Sequence, residues 1–169
     1  MQILYSVGRH ARKMLQQKYL ESNPTYIGTS VCRDWLSATA FKKWMTQQDW
    51  QGKSLDKDII VPRSKLYSPD TCAFVLEATN SFVTASDASR GGYPVGVDLH
   101  KGTGKYRARC GNPFTGKGEH LGYYSTQEEA HEAWRKRKHE LAQLVAATES
   151  DPRVVEALKK RYSFDEWYK

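Results

Sequence analysis

Lysine and arginine alternate with other residues in the segment KYRARC, residues 105–110. Alternate side chains of a β-strand point to the same face, so a strand here would place Lys105, Arg107 and Arg109 side by side. His100 and Lys101 stand close by, at the end of the preceding extended segment. Such a row of cations is typical of surfaces that bind phosphates, and arginine also binds guanine through two hydrogen bonds. A solvated strand face that binds nothing is the alternative that composition leaves open.

The chain as a whole carries a positive charge. Its 169 residues include 26 Lys and Arg against 19 Asp and Glu, for a formal net charge of +7. A charge of this sign draws a protein to polyanions. A membrane surface is a weaker candidate, because the basic residues do not line one face of a long amphipathic helix. We therefore expect a nucleic-acid partner and no membrane partner.

The cysteines and the apolar residues indicate the compartment. Cys32, Cys72 and Cys110 have no CxxC spacing, and the sequence does not start with an apolar signal. No apolar run approaches the roughly 18 residues that a membrane span needs. Two thiols and a scattered histidine fall short of a tetrahedral zinc site, so we expect packing cysteines and no structural zinc. These features favour a soluble protein of a reducing cytosol.

The first half of the chain, residues 1–85, is predicted to form one small module. Apolar residues recur at helical spacing over residues 3–20, and Arg9, Arg12 and Lys13 of that helix are candidate contacts to a DNA backbone. Beyond it the patterns predict, in order, a helix over 38–48, short strands near 55–61 and 72–76, and a helix over 77–83.

A second module follows a polar, glycine-rich linker at residues 86–92. Residues 93–147 change to a period of two, which predicts three strands around YPVGVDLH, KYRARC and HLGYYS. Thr126 and Glu129 have capping-box spacing, and a long helix follows them. Residues 148–169 predict one more short helix. The whole is an α+β protein in which a single helix covers one face of the sheet and leaves the cationic face bare.

The second module resembles a plant DNA-binding domain of the Apetala and ethylene-response-factor type, which also occurs in phage endonucleases. The resemblance covers about residues 92–146 and rests on Gly96-Val97, on Tyr106-Arg107-Ala108-Arg109, on Leu121-Gly122-Tyr123, and on the helix with Glu129-Ala130. It implies that the sheet lies in the major groove of double-stranded DNA and that the strand arginines contact bases and phosphates. Arg107 and Arg109 would carry that role, supported by Lys105, His100 and Lys101. The loop GNPFTGKGEH differs from the plant form.

The first module is similar to the phage HNH homing endonucleases. The matching pieces, in order, are YIGTSVCRDW, FKKW, GKSLDKDI and YSPDTCAFV, followed by Asn80. The resemblance implies that Asp56 and Asn80 bind Mg²⁺ or another divalent cation. It places Lys57 where that family has its histidine base, and Thr71 where it has the asparagine that orients this histidine. Asp58 is a candidate second carboxylate.

Lys57 leaves the activity open, because a lysine with an ordinary pKa is protonated at neutral pH and accepts no proton. One hypothesis is a phage endonuclease that nicks or cleaves duplex DNA, in which Lys57 holds the phosphate and water or Asp58 handles the proton. A second is an inactive HNH fold that only binds DNA or a host factor. A third is a regulator that binds a host protein without DNA. All three place the protein in the cytoplasm of an infected bacterial host.

Overall fold

A computed structural model describes residues 21–22, 27–84 and 92–163 of the chain. The protein has the α+β architecture that the sequence predicts, and it divides into two compact units, Met1–Leu76 and Glu77–Lys169. The predicted helix over 3–20, with Arg9, Arg12 and Lys13, lies outside the described residues. So do nearly all of the predicted linker and the aromatic end of the chain after Ser163.

The first unit consists of short elements. They are β1 Ser30–Val31, a 3₁₀ turn Arg33–Leu36, α1 Ala38–Met45, β2 Ser54–Asp56, β3 Leu66–Tyr67 and β4 Ala73–Val75. Strand β1 pairs in parallel with β3, and β2 pairs antiparallel with β4. Helix α1 begins where the Ser37 hydroxyl accepts a hydrogen bond from the Ala40 amide, an N-cap that satisfies one otherwise unpaired amide. The predicted helix is present and ends at Met45, and the strand predicted near 72–76 is present as β4. The strand predicted near 55–61 ends at Asp56, because the Asp56 side chain accepts hydrogen bonds from the next amides and residues 57–61 form a bend and a turn.

Aromatic side chains fill the core of the first unit. Trp35, Phe41 and Phe74 are buried, and the Trp35 and Phe41 rings meet edge to face with their centroids 5.0 Å apart. Cys72 is fully buried in the same cluster, and burial raises the pKa of its thiol to about 11. The packing role predicted for this cysteine is confirmed.

The second unit is built on a three-stranded antiparallel sheet. Its elements are α2 Glu77–Val83, β5 Val97–His100, β6 Lys105–Asn112, β7 Lys117–Tyr124, α3 Gln127–Ala146 and α4 Pro152–Lys160. The strand order is β5-β6-β7. The predicted capping box is present at the start of α3, where Thr126 and Glu129 exchange hydrogen bonds with each other's backbone amides. Ala108 and Cys110 of β6 are buried together with Trp134 and Leu141 of α3, so the helix covers that face of the sheet.

Helix α2 has the bounds that the sequence predicts, and it packs within the second unit. Its Phe82 ring meets the Tyr162 ring with centroids 6.0 Å apart. The Lys138 ammonium of α3 donates to the Phe82 carbonyl at 2.6 Å and lies 3.5 Å from the centroid of the Phe82 ring. The predicted module boundary lies at residue 85, whereas the compact units divide after Leu76. Helix α2 therefore belongs to the second unit and not to the first.

One irregularity interrupts the pairing of β6 with β7. Ala108 pairs with Gly122 and Arg109 with His120, so Leu121 is an extra residue on β7, a β-bulge. A bulge increases the local twist of the two strands. Within the described ranges, no helix is both long enough and apolar enough to span a bilayer.

Candidate nucleic-acid interface

The predicted cationic row lies on the face of the sheet that α3 does not cover. Ala108 and Cys110 point toward the helix, so Lys105, Arg107 and Arg109 point to the opposite side. The side chain of Arg109 is 57% exposed and that of Arg107 is 28% exposed. The structure therefore brings the three cations together as the strand alternation predicts. We refer to this side of the sheet as the outer face.

Three rings also lie on the outer face. Tyr123 of β7, whose position pairs with Arg107, is 44% exposed. Its ring centroid lies 5.0 Å from that of His100 and 4.8 Å from that of His120. Nδ1 of His100 also forms a 3.0 Å hydrogen bond with the Thr103 hydroxyl, in the turn where Lys101 is exposed. The sequence pattern predicts His100 at this surface, but it does not predict His120 and Tyr123. The bulge at Leu121 breaks the strand alternation of HLGYYS, so the pattern does not place these two rings on one face.

Asp98 brings a negative charge to the same surface. It pairs with Arg107 across β5 and β6, and it accepts hydrogen bonds from Nε of Arg107 at 3.2 Å and from Nη2 at 2.6 Å. Nε of Arg109 lies 3.3 Å from Oδ1 of the same carboxylate. The hydrogen bonds from Arg107 lower the pKa of Asp98, so this carboxylate is charged at neutral pH. Asp98 offsets one positive charge, and the outer face stays positive through Lys105, Arg107 and Arg109.

The sequence contained a signal for this contact. Asp98 alternates with Val97 and Leu99 in YPVGVDLH, so its side chain had to point to the face opposite theirs. The antiparallel register then sets it directly beside Arg107.

The basic run RKRKH of α3 is largely engaged inside the second unit. Arg135 is buried, and Lys138 reaches the Phe82 carbonyl. Arg137 donates from Nε to Glu119 of β7 at 2.6 Å and from Nη1 to Glu140 at 2.9 Å. These basic side chains therefore hold the helix to its neighbours, and the outer face is the better candidate for a polyanion.

The predicted hydrolytic residues of the first unit lie at the end of β2. Oδ1 of Asp56 accepts hydrogen bonds from the backbone amides of Asp58 at 2.8 Å and Ile59 at 2.7 Å. Burial is the main cause that raises the pKa of Asp56. Nζ of Lys57 donates to both carboxylate oxygens of Asp58, at 2.8 and 2.7 Å, and this lysine side chain is only 12% exposed. Asp56 therefore closes a turn, and Lys57 is committed to Asp58.

The other two predicted hydrolytic residues have different surroundings. The Thr71 hydroxyl donates to the Leu66 carbonyl at 2.6 Å and accepts from the Ser68 amide at 3.1 Å, which closes the turn before β4. Since Asp56 pairs with Ala73, Thr71 leads into the strand next to Asp56. Asn80 lies on α2, in the second unit.

The donor atoms near Asp56 do not match a Mg²⁺ site as they stand. One carboxylate oxygen of Asp56 already binds two amides, and the Lys57 ammonium covers both oxygens of Asp58. A bound ammonium repels a divalent cation at short range. In the part of the chain that the structure describes, no group of three or more His, Cys, Asp or Glu side chains is placed to hold a metal ion.

Comparison with known proteins gives no relative: no protein-family model matches the chain, and neither the search of curated proteins nor that of solved structures found a significant match. Membership of the Apetala and HNH families therefore stays a prediction. The observations that bear on function are the charges and contacts of the two units.

Proposed function

We propose that the protein binds double-stranded DNA through the outer face of the sheet β5-β6-β7. The observation that supports this most directly is the exposed row of Lys105, Arg107 and Arg109, opposite the helix-covered face. Lys101 and His100 extend this surface at the turn that joins β5 to β6. In an infected bacterium, which the sequence resemblances suggest as the setting, duplex DNA is an abundant polyanion.

The dimensions of the row suit a duplex groove. Residues of a strand rise about 3.3 Å each, so Lys105 and Arg109 stand about 13 Å apart along β6. The major groove is about 12 Å wide, and it admits a twisted antiparallel ribbon. Cations at the two ends of the row can therefore face opposite walls of the groove, while the middle of the row faces the base edges.

Salt dependence provides the first test. Each phosphate that a cation neutralises contributes about −0.9 to the slope of log K against log salt. Phosphate contacts from Lys101, Lys105 and Arg109 would together give a slope of about −2.7 on a random duplex. Fluorescence anisotropy at several salt concentrations measures it. We expect Arg109→Ala and Lys105→Ala each to flatten the slope by about 0.9.

A lysine away from the outer face provides the control. Lys159 is exposed on α4, and Lys159→Ala removes the same charge. We expect the slope of this variant to match that of the unmodified chain. Binding that is absent, or that Lys159→Ala weakens as much as Arg109→Ala, would contradict the proposal.

A second proposal is phosphodiester hydrolysis by the endonuclease-like residues of the first unit, in which a divalent cation would have to displace the backbone amides that Asp56 now binds. The pairing of β2 with β4 supports it, because Asp56 at the end of β2 pairs with Ala73, two residues after Thr71. The commitment of Lys57 to Asp58 favours the binding function over this one.

Nicking of supercoiled DNA separates the two. The full chain is incubated with Mg²⁺ or with a chelator, beside Asp56→Asn, which keeps the oxygen that accepts the two amides. Nicking that needs both Mg²⁺ and Asp56 makes the protein an endonuclease. If the plasmid stays intact while the chain binds duplex DNA, only the binding function is supported. A host-protein partner, the third hypothesis, would instead appear as a complex that survives nuclease treatment.

A further inference from the structure

We infer that Asp98 is a positioning residue, which fixes the Arg107 guanidinium for contact with a base edge and leaves Arg109 to contact a phosphate. The inference rests on the proposed function of the outer face. It assigns different tasks to two arginines that the sequence pattern treats as equivalent.

Asp98 holds the guanidinium of Arg107 along one side. Asp98 accepts from Nε and from Nη2, so it uses two of the five N–H donors of the guanidinium. The remaining donors lie on Nη1 and on the far side of Nη2, at the tip of the side chain. Three donors therefore remain for Tyr123 and for a ligand.

Arg107 is also confined on its other side. Asp98, Arg107 and Tyr123 form one row across the three strands, because Asp98 pairs with Arg107 and Arg107 with Tyr123. Hydrogen bonding to Asp98 is the largest cause that raises the pKa of Arg107, and Tyr123 adds to it. The guanidinium therefore has neighbours on both flanks, and its tip is the direction left for a ligand.

Arg109 is held much less. Its contact to Asp98 is a single one of 3.3 Å at Nε, and its side chain is exposed to twice the extent of that of Arg107. A long cationic side chain with this freedom can follow a phosphate along the backbone, and phosphate contacts carry no sequence information.

A guanidinium that is held at two of its donors favours recognition of a base edge. Guanine offers two adjacent acceptors, O6 and N7, on its major-groove edge, and a bidentate arginine discriminates this base from others by about tenfold or more. An arginine that is already immobilised loses less conformational freedom when it binds. We therefore expect the preferred duplexes of this protein to contain guanine at the position that Arg107 contacts.

The test compares sequence preference with general affinity. Duplexes are selected from a random pool with the full chain, and the dissociation constants of a selected and a scrambled duplex give a preference ratio. For Asp98→Asn we expect this ratio to fall about tenfold. Binding to the scrambled duplex should hold or tighten, and its salt slope should steepen by about 0.9 because Arg107 becomes free to contact a phosphate.

Two further variants distinguish positioning from a general loss of structure or charge. Asp98→Glu keeps a carboxylate, and we expect it to recover part of the preference ratio. Glu132→Gln makes the same change of charge on the exposed side of α3 and should leave the ratio unchanged.

The two proposals fail in different ways. If the unmodified chain binds no duplex, the proposed function is wrong and the inference is wrong with it. If the chain binds duplexes without any preference, or if Asp98→Asn keeps the full ratio, DNA binding stands and the positioning role of Asp98 is overturned.

Discussion

Gly96 lies directly against the indole ring of Trp134, so closely that a Cβ atom at Gly96 would stand 2.0 Å from Cδ1 of the ring. Gly96 also has a φ of +78°, a backbone conformation that side chains with a Cβ rarely adopt. The Trp134 ring stacks on His131, whose Nδ1 is hydrogen-bonded to the Val95 carbonyl at 2.9 Å. The chain just before β5 therefore packs closely on α3, because residue 96 has no side chain.

Replacement of Gly96 by alanine should destabilise the second unit. We expect Gly96→Ala to lower the free energy of unfolding by about 2–4 kcal/mol, from backbone strain of about 1–2 kcal/mol and displacement of a packed ring. Gly104→Ala is the matched control, since Gly104 has a φ of +67° and open space around its Cβ position. Urea unfolding measures both. Equal losses in the two variants would mean that the Trp134 contact adds nothing.

Glu119 should make the protein sensitive to acid. Hydrogen bonds from Arg137, and then from Asn112, lower the pKa of Glu119 to about 2 from an ordinary value of 4.5. The unfolded chain therefore binds a proton at a higher pH than the folded one, and the stabilisation by Glu119 is present above pH 4.5 and is lost as the pH falls toward 2. The stability difference between the unmodified chain and Glu119→Gln should shrink over this range. Glu132→Gln, which leaves the Arg137 contacts in place, should show no such trend.

Lys138 should have an effect in the alkaline range, with the opposite sign. Burial lowers the pKa of Lys138 to about 8 from 10.5, so between these values the unfolded chain binds more protons than the folded one. Stability contributed by Lys138 therefore rises as the pH increases from about 8 to 10.5.

The variant Lys138→Met removes this titration and keeps most of the apolar stem. The stability of the unmodified chain relative to Lys138→Met should increase by about 1–3 kcal/mol between about pH 7 and pH 10. Lys136 is exposed on the same helix, and Lys136→Met should give a flat difference. Urea unfolding at the two pH values measures both stability differences. If the stability difference between the unmodified chain and Lys138→Met is also independent of pH, the ammonium of Lys138 is exposed to water and not buried.

The second unit was predictable because its patterns are local. Strand alternation in KYRARC, the Thr126 and Glu129 spacing, and the helical period that follows depend on residues near one another in the chain, and the sheet, cap and helix are all present. The assignment of α2 was harder. Its bounds follow from the sequence, whereas its packing against Tyr162 and Lys138 depends on residues far along the chain.

The candidate sites show the same division. The position of Arg107 and Arg109 on one face follows from alternation, whereas their shared contact with Asp98 requires the register of β5 on β6. Lys57 is a similar case. Its charge suggested a phosphate contact, but a lysine next to an aspartate can turn back onto that neighbour, and the composition of the segment does not reveal which contact forms.

The extra residue Leu121 changes the curvature of the outer face without changing which of its residues are paired. Ala108 would still oppose Gly122, and Arg109 would still oppose His120, in a chain that lacked Leu121, because those pairings already lie on either side of it. Only the local coiling of the hairpin would relax. Gain or loss of one residue at this point thus gives evolution, or a protein engineer, a way to alter the curvature presented to a groove while every charged group keeps its neighbour.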